Sequence, residues 1–158
     1  MRRVRAAFFI ALSIVSAAST LQAASQKPFH PEVMLGDMMP AKMREQNRDI
    51  VRKAAASLSK DLPKKVDAYT TLKNVRAEDT TLLYTFALNV GPKSDEAIRK
   101  EGEARMRRNV TLGVCRGSQR FLDAGITVAY RYLNAATGKE LFRFDIDKKA
   151  CEKAGFIH

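Results

Sequence analysis

The chain has 158 residues, a formal charge of +11, 46% hydrophobic residues, two cysteines and no tryptophan. A chain of this length supports one domain with a modest core. The charge suits an anionic partner, but few aromatics and no tryptophan disfavour a nucleic-acid binder built on base stacking.

Residues 1–23, MRRVRAAFFIALSIVSAASTLQA, set Arg2, Arg3 and Arg5 before an apolar run that ends in small residues. That order is the layout of a secretory signal peptide, and the run is shorter than the roughly 20 residues a membrane span requires. Cleavage after Ala23 is expected. It leaves a basic mature chain with no transmembrane span, periplasmic or secreted. There the anionic partners on offer are lipopolysaccharide, lipid head groups and wall polymers, so nucleic acid is not expected. Two cysteines in an exported chain read as one disulfide, Cys115–Cys151. Such a bridge contributes about 4 kcal/mol in the chain-entropy account.

Residues 24–40 hold Pro28, Pro31 and Pro40 with little periodicity and read as a flexible arm. Residues 41–158 then form a single α+β domain. Its first helix follows from Met43, Asn47, Ile50, Val51, Ala54, Ala55 and Leu58 at spacings of three and four, and Pro63 closes it. After Pro63 the period changes to two. VDAYTTLKNV and TTLLYTFAL, separated by RAED, make a hairpin with Leu82, Tyr84, Phe86 and Leu88 on one face. Ser94 is a helix N-cap, with Asp95 and Glu96 in the first turn of a long, weakly amphipathic helix carrying Ile98, Met106 and Val110. A short helical piece, SQRFLDAG, ends at Gly125, a residue suited to a left-handed cap.

ITVAYRYL and KELFRFDID, joined by NAATG, form a second hairpin. Ile126, Val128, Tyr130 and Tyr132 share one face of its first strand, and Phe142, Phe144 and Ile146 share one face of its second. The chain closes on a helical turn with Asp147 as its N-cap and Cys151 within it. The expected fold is thus α+β, a four-stranded antiparallel sheet from two hairpins with helices on one face and one disulfide.

Several constellations bear on function. Arg99, Lys100, Arg105, Arg107 and Arg108 make a basic helix face, which is either an anion-binding patch or a solvated surface balanced by Glu96, Glu101 and Glu103. Tyr130 and Tyr132 contact a partner or fill a half-buried core. His30, Met34, Met38, Met39 and Met43 are soft ligands of the kind that hold Cu(I), but Pro31 and Pro40 interrupt them and methionine also packs on apolar surface. No metal is assigned. Asp145 and Asp147 could serve acid–base chemistry, yet no ring of oxygen ligands surrounds them and Lys148 and Lys149 follow at once. The histidines, His30 and His158, lie in the arm and at the last position, a poor start for a serine triad. No catalytic residue and no cofactor is called.

The stretch VCRGSQRFLDAGITVAYRYLNAATGKELFRFDIDKKAC, with LPKKVDAYTTL and LLYTFAL before it, resembles a pattern of small exported proteobacterial proteins. Its features are Cys115, Gly125, Tyr130, Tyr132, Gly138 and Cys151. Among such families it looks most like the quorum-sensing-regulated virulence factor group. The resemblance implies an exported, disulfide-bonded α+β domain linked to secretion or virulence, and it carries no catalytic residues. The leading expectation is a non-enzymatic envelope protein that binds a protein or an anionic envelope component. The alternatives are a small periplasmic hydrolase or wall-modifying enzyme using Asp145, and a copper-handling protein using the arm.

Overall fold

The computed structural model describes the backbone of residues 31–156 and the side chains from Pro40 onward. The leader, the start of the arm with His30, and His158 lie outside the described residues. The order is α1 (Pro31–Leu58), β1 (Lys64–Lys65), β2 (Thr70–Glu78), β3 (Thr81–Leu88), α2 (Asp95–Gly117), α3 (Gln119–Asp123), β4 (Thr127–Asn134), β5 (Glu140–Ile146) and α4 (Lys148–Lys153). The strands form one sheet in the order β1-β2-β3-β4-β5.

Two features differ from the expected four-stranded antiparallel sheet. The short β1 adds a fifth strand, with Lys64 opposite Leu72 and Lys65 opposite Thr71. The two hairpins also meet in parallel, from Thr81 opposite Thr127 to Leu88 opposite Asn134. The reason is the connection: the chain leaves the end of β3, runs back through α2 and α3, and re-enters at the start of β4. A helical crossover of that kind joins parallel neighbours, whereas a tight turn joins antiparallel ones.

The first helix begins at Pro31 and carries Pro40 inside it, so it does not wait for residue 41. Proline at a first helical position loses no bond the helix needed. Inside the helix, Pro40 offers no amide to the carbonyl of Gly36, and its ring crowds that carbonyl. The buried stripe of α1 is narrower than its periodicity suggests. Val51 and Ala55 are buried against Val75, Leu82 and Ile126. Met43, Ile50 and Leu58 are exposed. Polar bonds fix this helix as much as apolar packing does: Asn47 Nδ2 donates to the Ala124 carbonyl (2.6 Å) and Ser59 Oγ to the Val75 carbonyl (2.8 Å).

The larger core lies between α2 and the same face of the sheet, where Val110, Val114, Cys115 and Leu122 meet Phe86, Val128, Tyr132, Phe142, Phe144 and Ile146. The expected caps are present. Ser94 accepts from the Ala97 amide (3.2 Å) and Asp147 from the Ala150 amide (2.7 Å). Gly125 and Gly138 have φ of +81° and +71°, in the left-handed region glycine adopts without strain. Cys115 in α2 is bridged to Cys151 in α4, with Cα atoms 5.7 Å apart and a sequence separation of 36.

The opposite face of the sheet carries polar side chains. Asn74, Thr85, Arg131 and Arg143 stand side by side across β2 to β5. Arg143 crosses the sheet to Glu78 (3.2 Å) while also holding Asp145 (3.0 Å).

Candidate functional site

A groove of about 1180 Å³ lies between α2 and α4, closed on one side by the end of β5. Its apolar surface comes from Ala104, Ile146, Ala150, Ala154 and Phe156, and its rim is charged. Each part has a local cause. Capping by Ser94 and Asp147 fixes where α2 and α4 begin, and the Cys115–Cys151 bridge ties the two helices together. α2 packs on β5 at Gly102, where an added Cβ would stand 3.4 Å from Cζ of Phe142.

Four of the five basic residues singled out in the sequence line this groove: Arg99, Lys100, Arg107 and Arg108. Arg105 does not. It lines a smaller hollow with Leu88, Ile98, Met106 and Phe142. Lys153 of α4 joins the groove from the other wall, a contribution the helix pattern of α2 alone could not reveal. The acidic residues on the rim are Glu96, Glu103 and Asp145. Glu103 pairs with Arg107 (2.7 Å), and Asp145 pairs with Arg143 outside the groove. Arg99, Lys100, Arg108 and Lys153 have no carboxylate partner among the described residues, so the rim carries an excess of positive charge. Arg107 lies over the Phe144 ring, 4.8 Å from its centroid.

The tyrosines belong elsewhere. Tyr132 is 7% exposed and stacks with Phe86, with Phe142 and Phe144 at its edges. Burial raises its hydroxyl well above the usual phenol range, with Tyr130 adding to the effect. Tyr130 is half-buried against Tyr84 and Phe86. These residues form the aromatic layer under the helices, and the ring of Tyr132 is core rather than contact surface.

Asp145 is exposed, with both oxygens bonded by Arg143 (3.0–3.3 Å). Asp147 is occupied as a cap. Among the described residues, no group of three or more His, Cys, Asp or Glu side chains gathers as a metal site would require. Met43 is exposed. No described helix is long and apolar enough to cross a membrane. A formed disulfide belongs to an oxidising compartment, which makes the chain periplasmic or secreted.

No protein-family model matches the sequence, and no curated protein matches it at significant similarity. The fold does match solved structures. A Pseudomonas aeruginosa protein described as secreted superposes with a TM-score of 0.61 at 16% identity, over 69% of this chain and 96% of its own. The pilotin EpsS of the Vibrio vulnificus type 2 secretion system superposes with a TM-score of 0.59 at 13% identity, over 70% of this chain and 96% of its own. At such identities the likeness establishes a shared fold, and the function must be argued from the groove.

Proposed function

We propose that the protein is an exported, non-enzymatic accessory protein of the bacterial envelope that binds a partner protein in the groove between α2 and α4. The mature chain starts near Ala24. The observation that carries this reading is the composition of the groove, an apolar floor under a rim of unpaired cations. That composition suits a protein segment with apolar and acidic side chains. A flat anionic membrane would meet the rim but leave the floor empty. The resemblance to the virulence-factor group and the fold shared with a pilotin both favour a role linked to secretion or virulence.

The test places a photo-crosslinking residue at Arg108 or Lys153, and as a control at Lys73 on β2, in the bacterium that produces the protein. Groove positions are expected to trap a partner of defined mass that Lys73 does not, and the R108E/K153E variant is expected to lose it. Equal labelling from all three positions would overturn the groove reading.

A further inference from the structure

The groove opens at the end of an edge strand, where Asp145 and Ile146 line it. Among the described residues β5 pairs with β4 on one side only and is the last strand of the sheet. α2 follows it along its whole length. Arg99 Nη2 donates to the Glu140 carbonyl (2.9 Å), Gly102 faces Phe142, Arg107 covers Phe144, and Thr111 lines the groove together with Ile146. From Arg99 to Thr111 a helix rises roughly 18 Å. From Glu140 to Ile146 a strand spans roughly 20 Å. Helix and strand are therefore matched in length, and the groove on the outer side of α2 meets the strand at Asp145 and Ile146. The bond from Arg99 to the backbone of Glu140 also shows that a group on the groove wall can reach a main-chain carbonyl of β5.

A strand edge beside a helix is a place where an extended chain adds by main-chain hydrogen bonds, while its alternate side chains settle into pockets. We infer that the groove takes an extended acidic segment of a partner protein, added to β5 as a sixth strand. This rests on the groove being the binding site. Alternate residues of the segment lie on the floor of Ile146, Ala150 and Phe156. Its carboxylates meet Arg99, Lys100, Arg108 and Lys153. A second copy of this chain is a poor occupant, because edge-to-edge pairing of β5 would bring two cationic rims together in a chain that stays basic without residues 1–23.

The experiment uses the purified protein and three synthetic peptides: alternating glutamate and valine as long as β5, the same peptide N-methylated at alternate residues, and an acidic amphipathic helix. The unmethylated extended peptide is expected to bind and to slow hydrogen exchange at β5 amides. Methylation is expected to weaken it by roughly tenfold or more, the loss of two or three hydrogen bonds. Equal affinity with and without methylation, or binding of the helical peptide alone, overturns strand addition while leaving the groove as the site. Protection of β5 in the protein alone, rising with its concentration, assigns the edge to a second copy and also overturns it. If no acidic peptide binds, or if R108E/K153E binds as well as the natural protein, the groove reading falls with it.

Discussion

The guanidinium of Arg107 covers the Phe144 ring at 4.8 Å while bonding Glu103, one turn earlier on the same helix, at 2.7 Å. The side chain thus seals the aromatic core at the point where α2 crosses β5. The exposed ion pair adds little, so the cation–π contact and the covering stem are what a mutation removes. R107A is expected to lower stability by about 0.5–1 kcal/mol, with R107K intermediate. Urea unfolding of the three proteins checks the order.

Gly102 lies mid-helix, where glycine is the weaker choice by about 1 kcal/mol relative to alanine. Its added Cβ would stand 3.4 Å from the Phe142 ring, at the tight end of ordinary contact. G102A is therefore expected to raise the unfolding free energy by about 0.5–1 kcal/mol. G102V, with methyls directed at the same ring, is expected to lower it. Thermal melts of both variants decide.

The Cys115–Cys151 bridge joins the two walls of the groove. Replacing both cysteines by alanine is expected to cost about 2–4 kcal/mol and to weaken binding in the groove as well. Intact mass with and without reductant checks the starting point. The oxidised protein should be lighter by two hydrogens, and the mass should match a chain that begins near Ala24.

Thr85 is 2% exposed, and its hydroxyl has no hydrogen-bond partner among the described residues. Valine keeps the shape and removes the unpaired polar atom. T85V is expected to stabilise the protein by about 1 kcal/mol, measured as a higher urea midpoint at unchanged slope. A loss of stability would show that the hydroxyl is paired in solution.

Arg44 and Arg48 both bond Asp79 at the β2–β3 turn and hold its carboxyl below the usual range. A depressed folded value stabilises the protein above the unfolded value of about 4, and that stabilisation is lost as pH falls through the folded value. D79N is expected to flatten this part of the acid limb. Asn tolerates the backbone at φ +52°, so the change tests charge rather than turn geometry. Stability measured from neutral pH into acid, for both proteins, provides the comparison.

Local signals carried most of the fold. Ser94, Asp147, Gly125 and the alternation of Phe142, Phe144 and Ile146 each mark structure that neighbouring residues determine, and each holds. What local patterns could not carry was how the hairpins join, because the parallel contact of β3 with β4 is made by residues on either side of α2 and α3. Two exposed lysines also leave no periodic trace, so β1 could not be read from sequence. Helical spacing placed Met43 and Ile50 with Val51 and Ala55 in the apolar pattern of α1, yet Met43 and Ile50 are exposed and Val51 and Ala55 are the buried ones. For the site, the basic residues of α2 were visible in sequence. Lys153 and the apolar floor were not, since they are brought beside α2 by the fold of the last segment.

The parallel seam between β3 and β4 has a consequence for how the chain assembles. Each hairpin can close from nearby residues, whereas the eight rungs of the seam wait until α2 and α3 have been made and folded back. A chain exported N-terminus first presents Cys115 well before Cys151. The thiol of Cys115 therefore has no native mate until the closing segment arrives beside α2. Trapping thiols at intervals during refolding should show the bridge forming after the second hairpin is protected, which makes it a chemical record that the closing segment has docked on α2.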